Sequence, residues 1–205
     1  DAQNTQATPG HLAVATGGDG ELYVGSLEGV LQYDGVDWTL TEISGRSPAR
    51  SLALGADGRI YVGGYDTFGR LARNAEGRLV YEDLLGAAGL RDAQRHVGIV
   101  WEVLPMAKGV YFRAEHHLHY LPYDGGPAQR WALAPETRSF FIVNGELWFR
   151  LQDSGLSRFD NGKVTLLPGG ATFADMPVAG VVEREGSALV VARDGLYEAT
   201  DEGMR

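Results

Sequence analysis

Three histidines near the middle of the chain are the most closely spaced residues with metal chemistry. His117 and His119 are two residues apart, so a β-strand would project both side chains from one face, and His116 lies beside them. A zinc site needs at least three protein ligands. Because a third ligand would have to come from elsewhere in the chain, we interpret this stretch as a polar strand and predict no metal and no cofactor.

Acidic residues are the next candidates for chemistry. Asp66, Glu115 and Asp153 each lie in a loop between two predicted strands. A pair of carboxylates at such positions could serve a glycosidase or a lyase. Acidic residues are also common in hairpin loops, and no distinctive motif surrounds these three. We therefore predict no catalytic residues.

The sequence also lacks the common motifs of hydrolases and nucleotide-binding proteins. It contains no Gly-x-Ser-x-Gly, no His-Glu-x-x-His and no glycine-rich phosphate loop before a helix. The glycine-rich run at residues 17–20 lies between two predicted strands and is interpreted as a turn.

Composition narrows the possible partners. The net charge is −9 and no Lys/Arg run is present, so we predict no nucleic-acid partner. With no cysteine, disulfides and thiol chemistry are excluded. The longest apolar stretches are far shorter than the ~20 residues that span a bilayer. Any membrane attachment would have to come from segments outside this chain.

The elements that must position any site are short strands that recur as a unit. A strand with the pattern of Leu22-Tyr23-Val24-Gly25 appears five times, with first residues Leu22, Ile60, Val110, Leu147 and Leu189. This spacing is close to the ~40–50 residues of a propeller repeat. A second strand follows each, as at Val30–Tyr33, then in most repeats an outer strand, as at Trp38–Leu40. A further strand, as at Ser51–Leu54, opens the next repeat.

The repeat predicts an all-β fold, a β-propeller of four-stranded antiparallel blades. We predict a tail over residues 1–10 and blades over residues 11–50, 51–98, 99–138, 139–180 and 181–205. A solenoid or a sandwich is the alternative, but sandwiches do not repeat a four-strand unit at this period.

Two irregularities stand out. The helix-tolerant stretch Tyr81–Arg95 is interpreted as an insertion, and the last repeat reaches Met204 and Arg205 without an outer strand. Since a propeller must close to protect its edges, we expect about five blades here, as a fragment of a larger, seven-bladed type of propeller.

These motifs resemble the two-component regulator propeller family. The resemblance rests on Gly20–Gly25 with Glu28–Trp38, on Ile60–Asp66 with Phe68–Leu71, and on Gly109–Arg113 and Gly155–Phe159. It implies a periplasmic ligand-binding sensor domain of a bacterial transmembrane signalling protein. The output domain would be a histidine kinase, a diguanylate cyclase or a transcriptional regulator. The ligand itself is not implied.

Aromatic residues recur at one position of the repeat, at Tyr23, Tyr61, Tyr111 and Trp148. Recurrence favours packing between neighbouring sheets, with the polar tip of each ring finding a partner. Residues in the loops at one face are the better candidates for ligand binding, since loops need not follow the packing pattern. The candidate ligand-binding residues are Arg50, Tyr65, Asp66, His96, Arg113, His116, Arg138, Arg150 and Asp153.

We expect a binding module whose partner is a small molecule, a carbohydrate or a peptide, and which forms a homodimer. Two alternatives remain open. A propeller lyase or glycosidase would need a cluster of acids or histidines at the centre, and a protein-interaction platform would present a broad face without a pocket.

Overall fold

The computed structural model describes residues 11–18, 20–135, 137–184 and 187–205, which fold into five four-stranded antiparallel sheets. The predicted all-β class is therefore confirmed. The predicted tail over residues 1–10, and Asp19 of the glycine-rich turn, lie outside the described residues. The chain forms two compact units, residues 1–132 with three of the sheets and residues 133–205 with the other two.

In every sheet the strands follow one another in chain order. The first sheet consists of β1 (His11–Thr16), β2 (Leu22–Ser26), β3 (Gly29–Tyr33) and β4 (Trp38–Thr41). The second consists of β5 (Ser51–Leu54), β6 (Ile60–Gly63), β7 (Phe68–Arg73) and β8 (Leu79–Asp83). The third consists of β9 (Glu102–Pro105), β10 (Gly109–Arg113), β11 (His117–Pro122) and β12 (Gln129–Ala132).

The second unit repeats this plan. Its first sheet consists of β13 (Thr137–Val143), β14 (Glu146–Leu151), β15 (Gly155–Asp160) and β16 (Lys163–Leu166). Its second consists of β17 (Val178–Arg184), β18 (Ser187–Ala192), β19 (Gly195–Thr200) and β20 (Gly203–Met204). Short 3-10 helices lie at Ser44–Arg46, Asp92–Arg95 and Gly170–Phe173.

One expectation about the irregular segments was wrong. The last repeat does have an outer strand, because β20 pairs with β19 through Ala199–Met204 and Thr200–Gly203. The stretch Tyr81–Arg95, interpreted as an insertion, begins within β8, and the rest of it lies in the long connection between β8 and β9. In that connection the structure has the single 3-10 turn Asp92–Arg95, and the Tyr81 side chain of β8 packs beside a core cluster.

Tight turns connect the strands where the sequence contains Asn-Gly. Asn144 and Gly145 have φ of 49° and 77°, and Asn161 and Gly162 have φ of 47° and 88°. Two consecutive left-handed residues form the type I′ turn, whose twist matches that of the flanking strands. The hairpins β13–β14 and β15–β16 are therefore set by local sequence.

The sheets pack against their neighbours as the blades of a propeller do. In the first unit β1 lies beside β5 and β5 beside β9, whereas the outer strands β4 and β8 hardly touch; in the second unit β13 lies beside β17. Separate apolar clusters fill the spaces between successive sheets, with Val30 and Val62 in one, Val100 and Phe112 in the next, and Val190 in the second unit. The core is thus divided among the blade interfaces.

Two glycines at the end of the second strand allow this close approach. A Cβ on Gly25 would collide with the carbonyl oxygen of Ala49, at the entry to the next sheet. A Cβ on Gly63 would come within 2.5 Å of Val100 Cγ1, just before the next sheet begins, and would overlap Ser51. Neither glycine has a positive φ, so the requirement is for space.

Three of the four recurring aromatic residues, Tyr23, Tyr61 and Trp148, pack as predicted, and their polar tips are paired. The hydroxyl of Tyr23 donates to Glu21 at 2.5 Å, that of Tyr61 to Asp57 at 2.9 Å, and Trp148 Nε1 to Glu146 at 3.0 Å. Burial, followed by the hydrogen bond to the Asp57 carboxylate, raises the pKa of Tyr61. The prediction of a packing role is confirmed for these three rings.

One buried histidine lacks a polar partner. His119 on β11 is 1% exposed, its ring lies 5.2 Å from that of Phe68 in the preceding sheet, and neither ring nitrogen has a hydrogen-bond partner in the described part of the chain. Burial, with smaller effects of the charges of His117 and Arg130, lowers its pKa to about 4. The imidazole is thus held neutral in an apolar interface.

We predict that Gly63→Ala destabilises the fold by about 1–3 kcal/mol, because the new methyl group must displace Ser51 and Val100. Gly180→Ala is the matched control, since Gly180 is also in a strand without a positive φ and a Cβ there would meet nothing within 4 Å. It should change stability by no more than about 0.5 kcal/mol. Urea denaturation measures both, and equal effects would contradict the packing account.

We also predict that His119 makes the fold acid-sensitive. Its pKa is about 4 when folded and 6.5 in the unfolded chain, so the unfolded state binds the proton first as the pH falls. Stability contributed by the neutral ring is present above pH 6.5 and is lost towards pH 4, by on the order of 2 kcal/mol. In denaturation curves at pH 7 and pH 4.5, His119→Leu should reduce this loss; an unchanged loss would contradict the assignment.

Candidate functional site

A cleft in the first unit contains three of the predicted site residues. It has a volume of about 490 Å³ and lies where the loop before β5, the turn after β6 and the entry to β9 meet. Its lining includes Ser47, Arg50, Tyr65, Asp66 and Ile99. The cleft is therefore built by loops from three successive blades.

Backbone hydrogen bonds hold these loops in place. The Tyr65 amide donates to Ser47 Oγ at 2.7 Å, and the Val100 amide donates to the Gly64 carbonyl at 2.8 Å. Tyr65 and Ile99 also form a β-bridge. A Cβ on Gly64 would lie 2.8 Å from Ser47 Oγ, so this turn has no room for a side chain at Gly64.

Asp66 links the turn to the next sheet. Its φ is 52°, a left-handed conformation that aspartate tolerates better than most residues. Its Oδ1 accepts a hydrogen bond from the Gly98 amide at 2.7 Å, and Oδ2 lies 3.1 Å from His96 Nδ1. The Glu115 side chain also lies against Gly98, in the space that a Cβ on this residue would enter. The acidic side chains of Asp66 and Glu115 therefore both lie against the short segment from His96 to Gly98.

Two groups in the cleft remain available to a ligand. The Tyr65 ring is 57% exposed. Arg50 is exposed, and its guanidinium makes no hydrogen bond or ion pair within the described residues. An aromatic face stacks on apolar surfaces, and a guanidinium donates to carboxylates, hydroxyls and carbonyls. Together with the Asp66 carboxylate, the cleft offers donors, acceptors and a flat apolar surface.

The equivalent position in the second unit brings Arg138 and Arg150 together in a cleft of about 420 Å³ that also contains Gln152 and Asp175. Arg150 is only 7% exposed, and its guanidinium donates to the carbonyls of Phe173 and Ala174 at 2.8 and 2.6 Å. These contacts attach β14 to the connection that enters the next sheet. Arg150 thus has a structural role.

The other predicted residues in and near this second cleft are more exposed. Arg138 donates to the Pro135 carbonyl at 2.6 Å and to Gln152 Oε1 at 3.1 Å. Asp153 is exposed, with a φ of 66°, and its amide donates to the Ala174 carbonyl at 3.2 Å. The Arg138 guanidinium therefore uses part of its hydrogen-bonding capacity within its own loop, whereas the Asp153 carboxylate is exposed to solvent.

Arg113 and His116 line neither cleft. Arg113 is half-buried and its Nε lies 3.6 Å from Glu102 Oε2, across the β9–β10 pair. His116 is exposed. His117 and His119 lie with ring centroids 5.9 Å apart. In the ranges that the structure describes, no three His, Asp or Glu side chains gather into a group that could hold a metal ion.

Sequence reasoning missed two residues that shape the first cleft. Ser47 orients the Tyr65 amide, and Gly98, with a φ of 75°, bonds to Asp66 through both its amide and its carbonyl. The Ser-Gly-Arg-Ser-Pro run signals a turn, but only the fold places Ser47 beside Tyr65. For all nine predicted residues, ligand binding stays a prediction.

Several solved structures have a fold similar to that of this chain. The chain is similar to virginiamycin B lyase from Staphylococcus aureus, with a TM-score of 0.66 and 13% identity over 98% of this chain and 69% of the lyase. It is also similar to the extracellular domain of the hybrid two-component system BT4673 from B. thetaiotaomicron, with a TM-score of 0.65 and 18% identity over 97% of this chain and 28% of that one.

The chain folds as β-propeller blades. A third similar structure is the GH74 enzyme of Niastella koreensis, with a TM-score of 0.58 and 14% identity over 97% of this chain and 31% of the enzyme. No family model and no curated protein matches the sequence. The neighbours include the extracellular domain of a two-component system and enzymes, and at these identities the likeness concerns the fold alone.

The part of the chain that the structure describes contains no helix with the length and apolar character that crossing a membrane requires.

We predict that Arg150→Met destabilises the fold by about 1–3 kcal/mol, because the Phe173 and Ala174 carbonyls lose their donors in a buried setting. Arg193→Met is the control, since Arg193 is exposed in the same unit and should cost less than about 0.5 kcal/mol. Thermal or urea unfolding measures the difference. Equal stabilities of the two variants would contradict the structural role of Arg150.

Proposed function

We propose that this chain is the ligand-binding propeller of an extracytoplasmic sensor, and that its ligand occupies the cleft of Arg50, Tyr65 and Asp66. The observation that carries the proposal is an exposed aromatic ring and an unpaired guanidinium beside a carboxylate, on loops fixed by backbone hydrogen bonds. Binding sites commonly combine such rigid supports with side chains whose polar groups are not used internally.

The ligand that best fits these groups is a small hydroxyl-rich molecule such as a saccharide. Tyr65 can stack on the apolar face of a sugar ring, while Arg50 donates to its oxygens and Asp66 accepts from its hydroxyls. The cleft volume of about 490 Å³ lies within the ~300–1,000 Å³ range of small-molecule sites. A short peptide carrying a carboxylate would use the same Arg50 donor.

The signalling role rests on the sequence resemblance to two-component regulator propellers and on the likeness to the extracellular domain of BT4673. In this proposal the propeller lies in the periplasm, and binding changes the population of two arrangements of a dimer. The membrane segment and the output domain would then belong to parts of the protein outside this sequence.

A lyase is the second candidate function, because His96 Nδ1 lies 3.1 Å from Asp66 Oδ2 beside the cleft. A carboxylate that orients an imidazole is one arrangement of a general base. His96 is largely exposed, with 81% of its side chain accessible. The sensor is the stronger proposal because it relies first on Tyr65 and Arg50, which are exposed in the cleft, whereas a general base would rely on the Asp66 carboxylate, which also bonds to the Gly98 amide.

The proposal is tested by calorimetry and thermal shift with a panel of neutral and acidic oligosaccharides and short peptides. A ligand at 100 times its Kd should add about 2.7 kcal/mol to stability. We predict that Tyr65→Ala and Arg50→Ala each weaken binding of that ligand at least fivefold, because each removes a direct contact. Incubation followed by chromatography should recover the ligand unchanged.

Arg91→Ala is the matched control, since Arg91 is exposed in the same unit and lines no described cleft. It should bind as the unmodified protein does. A ligand that binds equally well to Tyr65→Ala and Arg50→Ala would contradict the site. No binding from any class would favour an interaction platform, and conversion of the ligand that is lost in His96→Ala would favour the lyase.

A further inference from the structure

One position of the repeat carries a long side chain at some interfaces between neighbouring sheets and a short one at another. Arg70, Tyr120 and Tyr197 pair with the middle of the second strand in their sheets, opposite Tyr61, Tyr111 and Val190. Three residues later in the chain, the equivalent positions are occupied by Arg73, Tyr123 and Thr200. Each of these three residues lies near the start of the second strand of its own sheet, whereas the cleft of Arg50 and Tyr65 lies at the end of β6.

In the first unit this position reaches back to the preceding sheet. Arg73 Nη2 lies 3.2 Å from Glu21 Oε1 in the first sheet. The Tyr123 ring lies 5.8 Å from that of Tyr61 in the second sheet, and its hydroxyl accepts a hydrogen bond from the Ala56 amide at 3.3 Å. A long side chain thus bridges each of these two interfaces, and a polar cleft of about 410 Å³ remains beside Arg73 at the first.

In the second unit the bridge is missing. Thr200 is short, and its hydroxyl donates to the Gly203 carbonyl of its own hairpin at 3.1 Å. A cleft of about 500 Å³ remains between the fourth and fifth sheets, and Trp148 forms part of its lining. Small side chains on the fifth sheet, Ala188 and Ala199, leave it open.

The polar groups on one wall already satisfy one another. Glu146 Oε1 lies 2.7 Å from Arg158 Nη1, and Glu146 Oε2 accepts from Trp148 Nε1 at 3.0 Å. This ion pair is electrically neutral and fixes the plane of the indole. The half-buried Trp148 ring, Leu167 and Met204 supply apolar surface around it.

Asp201 supplies the remaining charge. It lies at the rim of the cleft, is exposed, and its carboxylate has no hydrogen bond or ion pair within the described residues. With Glu146 and Arg158 neutralising each other, the lining carries one net negative charge. An ammonium group beside a carboxylate gains Coulomb attraction.

We infer that this cleft binds a small organic cation with an apolar body. The apolar body packs along Trp148 and the alanines of the fifth sheet, in the space that Tyr123 fills at the equivalent interface, and the ammonium group lies at Asp201. This site differs from the Arg50 cleft in place and in ligand charge, and does not depend on the proposed sensor function.

The probe is phenethylammonium, titrated against the protein by calorimetry and by tryptophan fluorescence. The neutral isostere 2-phenylethanol and the anion 3-phenylpropionate serve as charge controls. We expect phenethylammonium to bind at least tenfold more tightly than either one, and Asp201→Asn to reduce its affinity at least fivefold. Equal binding of 2-phenylethanol, or of phenethylammonium to Asp201→Asn, would overturn the inference.

Thr200→Tyr provides the steric test, because it places at this interface the residue that fills the equivalent one. We expect it to abolish phenethylammonium binding while the melting temperature stays the same or rises, and Thr200→Ser to bind normally. Retained binding in Thr200→Tyr would overturn the assignment to this cleft. Tyr65→Ala should bind the probe unchanged, which separates failure of this site from failure of the sensor cleft.

Discussion

The close approach of each sheet to the entry of the next is the constraint on which the first unit depends. Gly25 has no side chain because the Ala49 carbonyl occupies that space, and the Ala49 amide donates to the Ser26 carbonyl at 3.0 Å. One residue later, the Arg50 amide donates to the Gly63 carbonyl at 2.7 Å. The loop that carries Arg50 is therefore hydrogen-bonded to the ends of both β2 and β6. The packing of the blades thus holds this wall of the cleft in place.

The same repeat position is used differently in the second unit. Arg150 occupies in the fourth sheet the position that Gly63 occupies in the second, and its guanidinium donates to the connection that enters the next sheet. Both solutions hold neighbouring sheets together, one by backbone proximity and one by buried hydrogen bonds. This explains how a single strand pattern tolerates glycine and arginine at one position.

Much of the fold follows from local sequence, and most of the site does not. Alternation and Asn-Gly turns predict hairpins such as β13–β14 because both signals are local. The two-residue strand β20 has too little sequence to give a pattern. Arg150 resembles a solvent-facing loop residue in the sequence, and its burial depends on where the Phe173 carbonyl lies, a contact 23 residues away. Tyr65 and Asp66 could be chosen because they interrupt the repeat, whereas Ser47 and Gly98 act only through the fold.

Amide hydrogen exchange with and without the oligosaccharide and peptide panel tests the central claim most directly, because it locates binding without assuming a site. The Tyr65 and Asp66 amides are hydrogen-bonded to Ser47 and Gly98 across the loops of the cleft, so a ligand that bridges these loops must slow their local opening. The account predicts slower exchange in the segments containing Arg50 and Tyr65, with little change around Thr200. Protection confined to other segments, or none with any member of the panel, would contradict it.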